Sequence, residues 1–242
     1  MEAIEIQKLT KQYKDVTAVR DLTLSVRQGE LFSLLGVNGA GKTTTIKMLS
    51  CLTAPTSGDA LLCGRSIIRE PALVKALIAV SPQETAVAPH LTVYENLELM
   101  AGVHGFSREK QRAACTEMID RLSLGEVRKK AAGKLSGGWQ RRLSIAMALI
   151  CDPKILFLDE PTLGLDVLAR SELWDVILSL KGKTTIVLTT HYMEEAESLS
   201  DRIGIMKSGR LAALGTVAEI KALGGSDRID EAFVNIVKGA EQ

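Results

Sequence analysis

The chain opens with short stretches in which apolar and polar positions alternate. Residues 3–9 and 22–26 read as strands, Gln28-Gly29 as a turn, and Leu31–Leu35, apolar at nearly every position, as a buried strand. A glycine-rich loop follows, and residues 42–52 read as a helix. Pro55 and Gly58 punctuate the chain before a further hairpin arm over 60–68. The period then lengthens. Residues 93–101 and 108–122 place apolar side chains three and four positions apart, the second among many charges, and so predict helices. Ser136 suits a helix N-cap ahead of the apolar run 143–150. Strand and helix patterns then alternate: Ile155–Asp159, 168–180, 184–189, 193–200 and 203–206, with a helical tail over 229–237. Such alternation predicts an α/β fold with a mainly parallel sheet, here interrupted by a helical insertion from about Glu84 to Ile150.

Composition narrows this little but excludes a good deal. The 242 residues are 46% hydrophobic and carry 20 Gly and 6 Pro, which rules out collagen-like, disordered and disulfide-scaffold chains. A net charge of +1 gives no basic footprint for nucleic acid. The four cysteines (Cys51, Cys63, Cys115, Cys151) are widely spaced, as expected of reduced, buried thiols in a cytosolic protein. No run approaches the roughly 20 apolar residues of a membrane span, and Glu2, Glu5 and Lys8 do not suit a signal peptide.

The candidate chemistry begins at Gly36-Val37-Asn38-Gly39-Ala40-Gly41-Lys42-Thr43, followed by Thr44, between a predicted strand and a predicted helix. This fits the phosphate-loop template, in which glycines let backbone N–H groups wrap phosphate oxygens at a helix N-terminus. Lys42 would reach the β- and γ-phosphates, and the Thr43 hydroxyl would ligate Mg²⁺. The run Ile155–Asp159 delivers Asp159 and then Glu160 at a strand end, where open α/β sheets bind ligands. Asp159 is placed to hold Mg²⁺ and Glu160 to act as general base or water-positioning group.

Leu135-Ser136-Gly137-Gly138 adds a second anion-binding helix start. Taken singly, Tyr13 near a hairpin, Gln83 after a proline and His191 at a strand end are ordinary residues. His90 and His104 match no motif. The order Tyr13, 36–44, Gln83, 135–138, Asp159-Glu160, Leu165-Asp166, His191, however, resembles the nucleotide-binding subunit of ATP-binding-cassette (ABC) transporters, from Tyr13 to about Gly215.

The resemblance implies a P-loop NTPase core with a mainly parallel sheet, an N-terminal antiparallel β subdomain and an inserted helical subdomain. It implies one ATPase domain over 1–215, the insertion with its signature over 84–150, and a short helical tail over 216–242. Tyr13 would stack on adenine. Gln83 would contact Mg²⁺ and the attacking water, and couple to membrane subunits. His191 would contact the γ-phosphate. Ser136, Gly137 and Gly138 would close on ATP held by the phosphate loop of a second copy, or of a paralogous cassette, packed head to tail, with residues 161–166 crossing that interface. ATP and Mg²⁺ are the implied cofactors and integral membrane permease subunits the implied partners, at the cytoplasmic face of the cell membrane; no nucleic acid is expected. The segment from Thr190 to Glu197 and the short tail resemble exporters of drugs, ions or polymers. An importer cassette, a non-transport ABC ATPase on ribosomes or nucleic acid, and a non-hydrolysing module are the alternatives. Trp139 departs from the usual signature, and Thr43 replaces the commoner serine while keeping its hydroxyl.

Overall fold

In the computed structural model the described residues are 1–239; the last residues of the expected tail, 240–242, lie outside them. The chain opens with β1 (Glu2–Tyr13), β2 (Val16–Arg27) and β3 (Leu31–Leu35), then α1 (Lys42–Leu49). β4 (Ser57–Leu62), β5 (Arg65–Ser66), α2 (Pro71–Lys75) and β6 (Ile78–Ser81) lead into three helices, α3 (Val93–Val103), α4 (Arg108–Arg121) and α5 (Gly137–Leu149). Next come β7 (Ile155–Asp159), α6 (Val167–Leu180), β8 (Thr185–Thr190) and α7 (Met193–Leu199). β9 (Arg202–Lys207), β10 (Arg210–Gly215), α8 (Val217–Gly224) and α9 (Ile229–Gly239) complete the described chain.

The strands form two sheets. An antiparallel sheet has the order β2-β1-β4-β5, and a larger sheet the order β10-β9-β3-β8-β7-β6, parallel throughout except for β10 against β9. This matches the expected mainly parallel sheet with an N-terminal antiparallel β subdomain.

Alternation along the central strands divides the core. Leu31, Leu156, Leu158, Ile186 and Leu188 face the helices, packing with Leu97, Met118, Leu143 and Ile177. Phe32, Leu34, Ile155, Phe157 and Val187 face the other way, against α1 and the antiparallel sheet through Ile4, Leu9, Leu22 and Ile46. Each such side chain contributes about 1.5–3 kcal/mol of burial. With both faces covered, a parallel strand reads as a continuous apolar run. That is why β3 and β7 are visible in the sequence.

The helices carry local signals too. Thr92 caps α3 in a capping box, its hydroxyl accepting from Glu95 N–H while Glu95 Oε2 accepts from Thr92 N–H at 2.7 Å. Asp166 caps α6 through Ala169 N–H at 2.9 Å.

Several sequence expectations need correction. Ser136 holds the expected N-cap position of α5, which starts at Gly137, but its side chain makes no capping bond. α1 stops at Leu49, before Cys51, whose φ is +56°. The arm expected over 60–68 is two short strands joined by Cys63-Gly64, both at positive φ (49° and 78°) as a tight hairpin turn requires. α2, β6 and β10 have no counterpart in the sequence reading, whereas α8 falls within the helical tail expected over 216–242. Of the cysteines only Cys115 is buried, and Cys63 is exposed.

Candidate functional site

The phosphate loop leaves the C-terminal end of β3 and enters α1, wedged between two neighbours. On one side lies β2. Gly41 has a φ of +103°, and a Cβ there would sit 2.5 Å from the Ala18 carbonyl oxygen. On the other side lies the β9–β10 turn. A Cβ on Gly36 would sit 2.6 Å from the Met206 carbonyl oxygen, and Gly209 N–H donates to the Ala40 carbonyl at 3.0 Å. Only glycine fits such approaches. The wedge is tied to β2 again, because Arg20 N–H donates to the Gly209 carbonyl at 2.8 Å. α1 has no side-chain cap and no acidic residue in its first turn, so its N–H groups and positive dipole end face the loop.

Lys42 folds back over the loop. Its Nζ donates to the Gly36 carbonyl at 2.8 Å and stands 3.3 Å from Glu160 Oε1. Thr43 Oγ1 donates to Asp159 Oδ1 at 3.1 Å, and Thr189 Oγ1 donates to the same oxygen at 2.5 Å. Thr189 Oγ1 also accepts from the Glu160 N–H at 3.1 Å. Glu160 is buried and held at a φ of +47°, an uncommon backbone for a side chain of this size. Such strain is of the order of 1–3 kcal/mol and persists where surrounding bonds over-determine the residue. Its Oε2 lies 3.0 Å from His191 Nδ1.

These groups border one cleft of about 600 Å³. The structure brings Asn38, Gly39, Ala40, Gly41, Lys42, Thr43, Thr44, Gln83, Glu160 and His191 to its wall. Asp159 and Gly36 sit directly behind it, bonded to Thr43 and Lys42. Tyr13 does not line it. That ring is exposed at the rim, paired across the hairpin with Val16, which does line the cleft. Nor do Ser136, Gly137 and Gly138. They lie at the exposed start of α5, where a Cβ on Gly138 would meet Ala169 Cβ at 3.1 Å. A second cavity, of about 620 Å³, lies beyond His191. Two of its cations are paired, Lys221 with Glu197 at 2.6 Å and Arg228 with Asp230 at 2.7 Å, Arg170 stacks over Tyr192, and the carboxylates of Glu194 and Asp227 also line it, so the first cleft suits phosphate better.

Sequence reasoning missed the residues that hold this arrangement from behind. Arg141, buried in α5, donates to the carbonyls of Pro82 and Gln83, each at 2.6 Å, and to that of Glu160 at 3.4 Å. Burial lowers its pKa, opposed by the charges of Asp159 and Glu195. Thr189 orients both acids. The only local hint was an arginine ahead of an apolar helical run.

A loop whose N–H groups and Lys42 could hold phosphates, a buried carboxylate that could accept a proton, and an imidazole bonded to that carboxylate together suit hydrolysis of a phosphoanhydride. Comparison with known proteins agrees. Residues 19–163 match the family described as ABC transporter. The chain is 42% identical over 229 residues, 94% of its length and 72% of the relative's, to the daunorubicin resistance ATP-binding protein DrrA3 of Streptomyces coeruleorubidus. It is 41% identical over 222 residues, 90% of its length, to the phospholipid-transporting ATPase ABCA3 of Homo sapiens, whose chain it spans by 13%. A solved ATP binding subunit of an ABC transporter superposes with a TM-score of 0.84 at 30% identity, over 97% of this chain and 99% of that one. A dimeric ATP-binding cassette in a post-hydrolysis state with ADP and Pi gives 0.78 at 26% identity, over 88% and 98%. The chain belongs to the ABC transporter family, as one of its ATP-binding, ATP-hydrolysing cassettes.

Proposed function

We propose that two copies, or this chain and a paralogous cassette, close head to tail on two Mg-ATP and so drive export through integral membrane permease subunits. The observation that carries this reading is the separation of the two anion-binding elements. Ser136 is exposed and does not border the cleft that holds Lys42, so Ser136, Gly137 and Gly138 are free to meet a nucleotide held by another copy. The dimeric cassette with ADP and Pi among the similar structures supports the pairing. The cassette described as part of the transporter complex cbiONQ supports the permease partnership. The resistance ATP-binding proteins among the relatives support export.

Within one cleft each residue has a task. Lys42 and the N–H groups of residues 39–43 bind phosphate oxygens, and Tyr13 at the rim stacks on the base. Glu160 takes a proton from the attacking water, a role typically worth 10²–10⁴ in rate. His191, through its bond to Glu160, fixes the carboxylate and reaches the γ-phosphate. Gln83 orients the water and reports occupancy to the permease. The Thr43 hydroxyl, Asp159 and Gln83 offer only hard oxygen donors, and the Thr43–Asp159 pair spans 3.1 Å. This suits Mg²⁺, which keeps phosphate and water ligands and needs few protein ones. Mg²⁺ supplies neutralisation of phosphate charge there.

No helix among the described residues is long and apolar enough to cross a membrane. On this proposal the permease partners hold the cassette at the cytoplasmic face of the cell membrane. A charge of +1 gives no electrostatic support for nucleic acid.

The test is Glu160→Gln. It should bind ATP normally, lose turnover by roughly 10²–10⁴-fold, and elute as a dimer with ATP in size-exclusion chromatography. Ser136→Ala should impair that dimer while leaving monomer affinity for ATP intact. An active Glu160→Gln, or a monomeric one at saturating ATP, would overturn the proposal.

A further inference from the structure

Three buried side-chain polar atoms among the described residues have no hydrogen-bond partner: Thr162 Oγ1, Arg170 Nε and Glu195 Oε2. They share one neighbourhood. Glu195, in α7, is fully buried, and its Oε1 accepts from Trp174 Nε1 at 3.2 Å. The hydroxyls of Thr162 and Thr190 face the same carboxylate, and the Arg170 charge lies close by. Thr162 follows Glu160 and Pro161, while Thr190 immediately precedes His191. Arg170 stacks over the Tyr192 ring at 4.5 Å, and Tyr192 stacks on His191 at 4.1 Å. Glu195 itself does not border the cleft.

A buried carboxylate is costly, and an apolar side chain would stabilise a helix–helix contact at least as well. Here the carboxylate stands between the segments that carry the two hydrolytic side chains. We infer that Glu195 is a positioning residue: buried against both the Thr162 and the Thr190 segments, it sets their spacing and so how Glu160 Oε2 meets His191 Nδ1. The partnerless atoms around it mark a network with bonding capacity in reserve, able to keep hold as either segment shifts.

The inference rests on Glu160 and His191 being the hydrolytic pair, so Glu160→Gln is assayed beside it. In steady-state ATP hydrolysis by the full chain, Glu195→Ala should lower kcat by roughly 10–100-fold, as loss of an orienting contact does, with KM within about twofold. Glu195→Gln keeps the Trp174 bond and should recover most of that loss. Thr162→Val, which preserves shape, should lower kcat several-fold at unchanged KM. Combined with Glu195→Ala it should add nothing, because both act at one contact. The inference is overturned if the Glu195→Ala rate stays within about twofold of wild type, if KM carries the change, or if the double variant is additive. Should Glu195→Ala not fold, Thr162→Val and Glu195→Gln decide alone, and two wild-type rates overturn it. An active Glu160→Gln sinks the hydrolytic reading instead. An inactive Glu160→Gln beside a fully active Glu195→Ala sinks only this inference.

Discussion

Lys42 Nζ and Glu160 Oε1 stand 3.3 Å apart with side chains only 4% and 9% exposed. The cation proposed to bind phosphate and the carboxylate proposed to accept the proton thus neutralise each other, and removing either leaves the other short of its partner. Lys42→Ala should cost about 1–3 kcal/mol of stability through the stranded carboxylate, beyond its loss of nucleotide binding. Adding Glu160→Gln should restore part of that. Urea denaturation of the singles and the double checks it, and strictly additive losses would mean the two charges do not depend on each other.

The wedge around the phosphate loop gives a steric prediction. Gly41→Ala puts a methyl 2.5 Å from the Ala18 carbonyl oxygen at a φ of +103°, whereas Gly39→Ala, at +81°, meets open space. Gly39→Ala should cost only left-handed strain, about 1–2 kcal/mol. Gly41→Ala should melt distinctly lower still. Equal melting temperatures would mean that β2 yields to the loop.

Arg141 joins three segments, and the join depends on a planar fork of donors. Arg141→Lys keeps the charge but cannot serve both the Pro82 and Gln83 carbonyls in the same geometry. It should cost about 1–3 kcal/mol, the penalty for an unsatisfied buried acceptor, and speed amide exchange near Gln83. Unchanged stability and exchange would show the clamp to be dispensable.

Burial is the main force on the Glu195 carboxyl and raises its pKa, against the hydroxyls of Thr190 and Thr162. A group whose pKa is raised by folding adds stability below its unfolded pKa, and that share is lost as pH rises through the folded value. Wild type should therefore lose stability relative to Glu195→Gln as pH rises above the ordinary carboxylate range, read at about pH 4 and about pH 8. Urea titrations at both pH values read the gap, and a gap widening toward acid would contradict the sign.

Thiol chemistry tests the packing of the helical region. Cys115 is fully buried, and burial pushes its pKa to about 11, while Cys63 is exposed on a turn. Alkylation of the native protein near neutral pH should label Cys63 first. Cys115 should react only at the rate of global opening. Early labelling of Cys115 would mean that α4 opens locally.

What the sequence disclosed followed the range of the forces involved. β3 and β7 were readable because strands covered on both faces are uninterrupted apolar runs, and α3, α4 and α6 because their buried positions recur with the helical turn. β6 is four residues of mixed burial beside β7, and β10 is an antiparallel edge rich in Ala, so neither leaves a periodic trace. α5 starts at Gly137-Gly138 against helix propensity, where a Cβ on Gly138 would crowd Ala169 at 3.1 Å, a closeness that only the fold reveals. In the site, the phosphate loop and Asp159-Glu160 are each local in sequence. The bonds from Arg141 to Pro82 and Gln83 cross 59 and 58 positions. Those links, like Glu195 between Thr162 and Thr190, arise only once the sheet has assembled.

The wedged phosphate loop, held by Ala18 on one side and by Met206 and Gly209 on the other, carries a kinetic consequence. A loop already shaped by two sheets gives up little conformational freedom when a phosphate arrives. Capture should then proceed at an encounter-limited rate that hardly distinguishes tri- from diphosphate. Discrimination between them falls to how long each one stays. On the proposed roles, the clock of the cycle would be residence time, set by Glu160, His191 and whatever closes over the cleft, and not by the loop that first takes hold.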